Sequence, residues 1–328
     1  MTTPAATHVA AIQIEARMAD ISYNISQAGD LAEQACKSGA RYVALPEFFT
    51  TQIALDERVF QASLKKDDNP ALDMLKSLSS RYEVTVGGSY LEYDDASGDV
   101  FNTYVLIEPN GTLHRHQKDL PTMVENAFYV GGSDTGLLTT AQAAVGTAVC
   151  WETIRTATVH RLKGQCDLLM TGSHWWGSPG WPILKNRQHT GDQLNADHMF
   201  RTPGRFARLI GAPNIHAAHT GQIHGRYALT SRISAGFHSQ LQGETQITDA
   251  SGRILARRQA HEGPGVIFAN IHIGRSTPEP SPPGFWLERL PWDLQLVWHQ
   301  QNRVCQTIYD RAKRAGKIKP FTGHSTGP

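Results

Sequence analysis

Residues 142–153 read Gln-Ala-Ala-Val-Gly-Thr-Ala-Val-Cys-Trp-Glu-Thr, and this run of small and β-branched residues predicts a strand that ends at Cys150. The cysteine then lies at a strand-to-helix turn, where a nucleophile would be held out. The attacking form of cysteine is the thiolate, and a free thiol with a pKa of about 8.5 is mostly protonated at neutral pH. A catalytic Cys150 therefore requires a base and a cation from elsewhere in the chain.

The composition indicates a globular protein without a strong charge. The chain has 328 residues, 40% of them hydrophobic, which is enough for one large domain or two smaller ones. Its formal net charge is +1, and the basic residues form no block that would attract nucleic acid or an anionic membrane surface. The expected partner is a small molecule or a second copy of the chain.

The N-terminal segment and the cysteines favour a cytoplasmic protein. Residues 1–8 contain no basic stretch followed by an apolar one, and no segment approaches the roughly 18 apolar residues of a membrane span. The four cysteines are too sparse for a disulfide framework. We expect reduced thiols, with Cys36, Cys166 and Cys305 acting as small buried hydrophobic residues.

Metal-binding patterns are weak in this sequence. It has no Cys-x-x-Cys pair and no His-Glu-x-x-His helix. His216 and His219 are three residues apart on a predicted strand, which places them on opposite faces. The sequence therefore predicts no metal site.

Strand-like and helix-like segments alternate along the chain. Strands are predicted at 8–15, 41–46, 85–91, 102–108, from 113, at 142–149, 167–171, 213–218, 244–249 and 253–256. Helices are predicted at 21–38, from 70 through 78, at about 153–162, 194–209 and 294–312. Tight turns at 109–111 and 250–252 join two pairs of strands into hairpins. This mixture predicts an α/β protein with mixed sheets.

The chain is predicted to divide once, near Arg275. Residues 1–275 contain no linker and form one domain, whereas 276–328 begin with a proline-rich, extended stretch. The tail that follows contains Trp286, Trp292 and Trp298. It packs back on its own chain or pairs with another subunit, since tryptophan is enriched at interface cores.

Two further segments contain residues that could activate Cys150. Glu47 stands between hydrophobic neighbours at a strand end, where desolvation would raise its pKa and make it a better base. Lys118 leaves a hairpin strand, and Glu125 follows seven residues later. The lysine could favour the thiolate and stabilise the anion that forms on attack. The alternatives are an ordinary salt-bridged glutamate and a solvated lysine.

Together the segments resemble the nitrilase, or carbon-nitrogen hydrolase, superfamily. Pro46-Glu47-Phe48, Lys118-x-x-Pro-Thr-x-x-Glu125 and Cys150-Trp-Glu152 stand in that family's chain order of Glu, Lys and Cys. The hairpin at 243–256 is also similar to one in the family. The resemblance covers roughly residues 6–274.

This resemblance implies a four-layer α-β-β-α sandwich with two mixed sheets, and a thiol hydrolase that needs neither a metal nor an organic cofactor. Cys150 would be the nucleophile, Glu47 the general base and Lys118 the cation that stabilises the tetrahedral intermediate. Glu125 would be the supporting carboxylate. The backbone N–H of Trp151 would help Lys118 to hold the developing anion.

The substrate branch stays open in the sequence. Cys-Trp-Glu is more similar to the nitrile-hydrolysing branch, which predicts conversion of a nitrile to an acid and ammonia through a thioimidate and a thioester. However, Asn126 stands where nitrilases usually have arginine, and the residues after Glu152 lack their usual proline. The alternative is an amidase or N-carbamoyl amidohydrolase.

The loop at 173–182, rich in aromatic residues, glycine and proline, is predicted to line the substrate pocket. Its candidate contacts are His174 and Trp175, together with Trp151, and they would suit an apolar or aromatic substrate. Surface packing of the tryptophans is the alternative. We expect a homo-oligomer that acts on a small nitrile or amide; a non-catalytic scaffold and an acyl transferase are the competing hypotheses.

Overall fold

The computed structural model describes residues 6–178 and 185–323, and only the backbone of 185–191. Its strands are β1 (Thr7–Ile14), β2 (Tyr42–Ala44), β3 (Leu64–Lys65), β4 (Thr85–Asp94), β5 (Asp99–Ile107), β6 (Leu113–Gln117), β7 (Leu137–Thr139), β8 (Ala144–Val149), β9 (Leu168–Ser173), β10 (Asn214–His219), β11 (Gln222–Ala228), β12 (Ser234–Gln240), β13 (Gly243–Thr248), β14 (Ile254–Gln259) and β15 (Gly265–Ile271). Its α-helices are α1 (Ile21–Lys37), α2 (Pro70–Tyr82), α3 (Thr156–Leu162), α4 (Lys185–Ile210) and α5 (Trp292–Arg314).

Two mixed sheets meet at β1. The first follows the order β6-β5-β4-β2-β1-β15 with β3 beside β4, and the second follows β7-β8-β9-β10-β13-β14. Among the described strands, they are joined where Gln13 and Ile14, the last residues of β1, pair with the end of β10. The carboxyl ends of both central strands therefore lie together, which is the edge at which α/β proteins bind ligands.

The alternation of side chains along β1 explains how the layers form. Ala10 and Ile12 face the core under α1 and α2, whereas Val9 and Ala11 face the core between the two sheets. A third core lies between the second sheet and the helices α3 and α4. The order of layers is therefore helix, sheet, sheet and helix, and the predicted α-β-β-α sandwich is confirmed.

The local signals in the sequence account for several element boundaries. Asn69 caps α2, because its Oδ1 accepts the N–H of Leu72 at 2.8 Å, and Pro70 occupies the first helical position. Gly111 adopts a φ of +84° in the first predicted hairpin. The helix expected at about 153–162 begins later, since Cys150–Ile154 forms a 3-10 helix before α3.

The C-terminal helix α5 packs against the body of the same chain. Oδ1 of Asn302 accepts the N–H of Met123 at 2.8 Å and the side-chain N–H of Asn126 at 3.0 Å. Tyr309 accepts the N–H of Val100 at 3.1 Å. Among the described residues, no helix combines the length and apolar character needed to cross a membrane.

Candidate active site

Cys150 occupies a sharp turn between β8 and the 3-10 helix. Its φ is +53°, a left-handed conformation that is uncommon for a residue with a side chain. The hydroxyl of Thr153 donates to the carbonyl of Cys150 at 2.5 Å and stabilises the turn. The thiol is almost fully buried. Strained residues of this kind concentrate at functional sites.

Glu47 follows β2 and points into the interior. Its Oε1 accepts hydrogen bonds from Nζ of Lys118 and Nδ2 of Asn102, both at 2.9 Å. Its Oε2 accepts the backbone N–H of His174 at 2.8 Å. Burial raises the pKa of Glu47 to about 7, against the opposing effect of Lys118. A carboxyl group with this pKa exchanges a proton readily near neutral pH.

Lys118 also binds the second carboxylate. Its Nζ donates to Oε2 of Glu125 at 2.7 Å, and the same oxygen accepts the hydroxyl of Tyr129 and the backbone N–H of Thr122. Burial acts to lower the pKa of Lys118, but Glu125 and Glu47 outweigh it and raise that pKa well above its ordinary value. The side chain is therefore an ammonium ion with fixed donors.

The predicted nucleophile, base and cation lie together. Carboxylate oxygens of Glu47 and Glu125 and the sulfur of Cys150 are all within 4.8 Å of one another. This spacing would suit a metal ion, but the ammonium of Lys118 already binds both carboxylates and supplies the positive charge. Among the described residues of the site, the ammonium of Lys118 therefore takes the place of a metal ion between the two carboxylates.

The effect of Lys118 on the pKa of Cys150 has the predicted direction but is outweighed by two others. Lys118 does lower the pKa of Cys150, as predicted, but burial and the charge of Glu47 raise that pKa well above its ordinary value. The thiol is therefore protonated in the free protein. A base is therefore needed if this thiol is to attack, and a carboxylate oxygen of Glu47 lies within 4.8 Å of the sulfur.

Glu152, the last residue of the Cys-Trp-Glu motif, lies apart from the reacting groups. Its Oε2 accepts the backbone N–H of Val149 at 2.8 Å, and its Oε1 accepts the backbone N–H of Asp119 at 3.1 Å. These two residues are the sequence neighbours of Cys150 and Lys118. One buried carboxylate therefore ties the nucleophile's strand to the segment that contains the lysine.

Cationic side chains balance the charge of Glu152. Nε2 of His116 lies 2.9 Å from Oε2 of Glu152, and a guanidinium nitrogen of Arg161 lies 3.1 Å from Oε1. Burial acts to lower the pKa of His116, but Glu152 and Asp134 outweigh it and raise that pKa to about 10. The positive charges of His116 and Arg161 hold the pKa of Glu152 well below its ordinary value, although the burial of Glu152 acts in the opposite direction.

The candidate substrate contacts differ in their surroundings. Trp151 and Trp175 are buried with ring centroids 5.8 Å apart, and Trp286 of the tail lies edge-on to Trp151 at 5.4 Å. His174 is buried beside Glu47. Trp181 and Pro182 of the predicted pocket loop lie outside the described residues.

Several residues of the site were not identified from the sequence. Asn102 and Tyr129 hold the two carboxylates, and His219 binds the backbone carbonyl of Glu47. Tyr129 stands four residues after Glu125, a spacing that could have drawn attention to it. Asn102 and His219 carry no comparable local signal, because their partner is 55 and 172 residues away in the chain.

Comparison with known proteins agrees with this geometry. Residues 8–278 match the carbon-nitrogen hydrolase family. A probable nitrilase from Schizosaccharomyces pombe is 21% identical over 185 residues, which cover 54% of this chain and 68% of that protein. An omega-amidase from Xenopus tropicalis is 27% identical over 189 residues, which cover 53% of this chain and 67% of that protein.

The fold is also found in a solved structure. A mutant of an amidase of the nitrilase superfamily from Nesterenkonia superposes with a TM-score of 0.62 at 16% identity, covering 83% of this chain and 94% of that one. The family match and the fold confirm the predicted family. This chain belongs to the carbon-nitrogen hydrolase family and is a hydrolase of carbon-nitrogen bonds.

Proposed function

We propose that this chain is a cysteine hydrolase in which Cys150 is the nucleophile, Glu47 the general base and Lys118 the cation that stabilises the transition state. Glu125 is the carboxylate that holds Lys118 in place. The observation that supports this assignment best is the convergence of the thiol and both carboxylates within 4.8 Å around one buried ammonium.

The reaction on an amide runs in two halves. Glu47 takes the thiol proton as the sulfur of Cys150 attacks the carbonyl carbon, and Lys118 and the backbone N–H of Trp151 stabilise the oxyanion. Glu47 then returns the proton to the nitrogen, ammonia leaves and a thioester remains. Water, deprotonated by Glu47, attacks the thioester and releases the acid and the thiol.

Amides are the substrate class that we favour. The omega-amidase and the Nesterenkonia amidase are named for that activity. The main argument for a nitrile was the Cys-Trp-Glu motif, but Glu152 binds backbone N–H groups and cations away from the thiol. It therefore does not select the electrophile.

A nitrile is the second candidate, because the S. pombe relative is named a probable nitrilase. Attack on a nitrile would give a thioimidate, which takes up water and loses ammonia to reach the same thioester. N-carbamoyl compounds are a variant of the amide class, since they also lose ammonia from a carbonyl carbon.

Ammonia release from matched panels of amides, N-carbamoyl compounds and nitriles separates these candidates. We expect release from amides, and release from nitriles alone would contradict our preference.

Cys150→Ala should abolish turnover, and mass spectrometry of the native protein should detect an acyl adduct at Cys150. Unchanged turnover in the variant would remove Cys150 from its role. Hydroxylamine added to the reaction tests acyl transfer, because a transferase would form a hydroxamate faster than acid.

We also propose that the protein is a homo-oligomer in solution. The tail exposes large apolar side chains to solvent, since Trp292 is 75% exposed and Leu296 is 59% exposed. Exposed apolar patches of this kind are typical of interfaces. Light scattering should give a mass of two or more chains of 36.1 kDa each. A variant with both Trp292→Glu and Leu296→Glu should have a lower mass than the native protein. A monomeric native protein would contradict this proposal.

A further inference from the structure

Neighbouring strands of the second sheet bring two histidines to the same sheet edge as Cys150. β8, β9 and β10 run parallel, and their registers align their carboxyl ends. Cys150 follows β8, His174 follows β9, and His219 is the last residue of β10. The ends of parallel strands are where α/β proteins bind ligands. The two imidazoles therefore lie in a row with the proposed nucleophile.

The hydrogen bond of His219 identifies its tautomer. Its Nε2 lies 2.5 Å from the backbone carbonyl oxygen of Glu47, which can only accept, so Nε2 carries the proton. Nδ1 is then a bare acceptor. Within residues 6–178 and 185–323, this buried nitrogen has no partner. Burial lowers the pKa of His219 to about 4, so the ring is neutral.

His174 is buried with both ring nitrogens unpaired. Its side chain is 1% exposed, and neither nitrogen has a hydrogen-bond partner among the described residues. Its ring centroid lies 4.8 Å from that of His219, at an interplanar angle of 79°. Burial, His219 and Lys118 lower the pKa of His174 well below its ordinary value. A neutral imidazole offers one donor and one acceptor.

Buried polar atoms are nearly always paired, so these three nitrogens indicate a missing partner. Together they provide two acceptors and one donor. A carboxylate has only acceptors and would leave the acceptors unpaired. A carboxamide supplies two donors and an acceptor, and a hydroxyl supplies one donor and an acceptor. An ammonium group is disfavoured, because the charge of Lys118 already opposes a second positive charge at His174.

We propose that His174 and His219 form a subsite for a neutral, hydrogen-bond-donating group of the substrate, either a hydroxyl or a second carboxamide, beside the bond that is hydrolysed. This inference rests on the proposed function and narrows its substrate class. Phe48 flanks the subsite, with its ring centroid 5.9 Å from that of His174. The polar group of the substrate therefore binds beside the apolar ring of Phe48.

The test compares amides that differ in one substituent. Short aliphatic amides are assayed beside derivatives with a hydroxyl, a carboxamide or a carboxylate on successive carbon atoms. We expect kcat/KM for a hydroxyl or carboxamide derivative to exceed that of its parent by at least about tenfold, since a site built for a hydrogen bond rejects the analogue that lacks it. The carboxylate derivatives should be no better than the parent.

His174→Phe removes both nitrogens and keeps an aromatic ring and the backbone N–H that binds Glu47. The preference for the polar derivative should fall to about unity in this variant. His216→Phe is the matched control, because His216 is also a buried, neutral imidazole but its two ring nitrogens pair with the hydroxyls of Thr171 at 2.7 Å and Ser173 at 3.1 Å. Its preference should match that of the native protein. A merely structural role of His174 would lower turnover of all substrates equally and leave the ratio unchanged.

Binding to Cys150→Ala gives a readout that needs no turnover. Calorimetry should show tighter binding of the polar derivative, and the added His174→Phe substitution should remove the difference. Equal affinities for the polar derivative and its parent would overturn the subsite, as would a preference for the carboxylate. An unchanged ratio of their kcat/KM values in His174→Phe would also overturn it. The same holds if His174 and His219 bind only an ordered water. Amide turnover without any such preference overturns the subsite alone. A native protein that hydrolyses no amide or nitrile overturns the proposed function as well.

Discussion

The distribution of protons among Glu47, Lys118 and Cys150 decides the resting state of the site. Burial keeps Cys150 a thiol and brings the pKa of Glu47 to about 7, whereas two carboxylates keep Lys118 charged. In the proposed mechanism, the reactive thiolate therefore exists only while Glu47 holds its proton. Such coupling confines a strong nucleophile to the moment of attack.

The pH dependence of kcat/KM should report the base. Glu47 must be deprotonated to accept the thiol proton, and its pKa is raised to about 7. Activity should therefore rise with pH through about 7 and be lost on acidification below it. Glu47→Gln should reduce kcat by at least about a hundredfold and remove this dependence, since general-base catalysis contributes on that order. An unshifted profile in the variant would assign the titration to another group.

Between elements, Glu152 connects two segments that arrive from different parts of the sheets. It binds the N–H groups next to Cys150 and Lys118, and His116 and Arg161 neutralise it. Ion pairs of Asp119 with Arg155 and Arg161 add to the connection between the two segments. Glu152, the last residue of the Cys-Trp-Glu motif, therefore positions the segments that contain Cys150 and Lys118.

Glu152→Gln should lower both stability and activity. The substitution removes the charge that His116 and Arg161 share, but Asp134 and Asp119 remain beside these two cations, so we expect a cost of about 1–3 kcal/mol. Urea unfolding measures this loss. Asp197→Asn is the control, because Asp197 pairs with Arg201 at a site where both side chains are about 60% exposed, and its effect should be within about 0.5 kcal/mol. Equal effects of the two substitutions would contradict the positioning role.

The pH dependence of stability should reveal His116. Its pKa is about 10 in the folded protein, above the ordinary value of 6.5. A raised pKa means that its contribution is complete below pH 6.5 and is lost as the pH rises through about 10. The free energy of unfolding should therefore fall over that window more steeply in the native protein than in His116→Gln. Parallel curves from urea titrations would show that His116 is uncharged.

On the scale of the whole molecule, the C-terminal tail supports the active site of its own chain. Trp286 packs on Trp151, and Asn302 binds the 3-10 helix Met123–Ala127 that contains Glu125. The departure at Asn126 from the nitrilase pattern has a structural reason, because its side chain donates to Asn302. The tail and the catalytic segment are therefore one packed unit.

Asn302 offers a sharp test of that coupling. Its Oδ1 accepts both hydrogen bonds, so Asn302→Asp preserves the acceptor, whereas Asn302→Ala removes it. We expect Asn302→Ala to lose about 1–3 kcal/mol of stability and part of kcat, because it leaves the N–H of Met123 unpaired, whereas the side chain of Asn126 keeps the carbonyls of Pro121 and Met123 as acceptors. Asn302→Asp should stay close to the native protein. Thermal unfolding and initial rates on one amide provide the comparison, and equal losses in both variants would contradict the coupling.

Local patterns predicted the elements that carry a strong period or a clear cap. The caps of α2, the strand β8 and the turn at Gly111 follow from neighbouring residues. The hairpin of β11 and β12 was not predicted, because its polar sequence alternates only weakly. β15 was also missed, although it pairs along nearly the whole of β1. Its place in the first sheet depends on a partner more than 250 residues away.

The sequence by itself determined the order Glu47, Lys118 and Cys150, the α/β class and the membership of the family, because these depend on residue types, spacing and local periodicity. Only the tertiary structure decided which charges meet and how their pKa values shift, since burial and distance are properties of the folded chain. It also decided that Trp286 of the tail packs on Trp151 and that, among the described residues, both ring nitrogens of His174 and Nδ1 of His219 lack a partner. Contacts between residues far apart in the chain arise from packing, and no local pattern contains them.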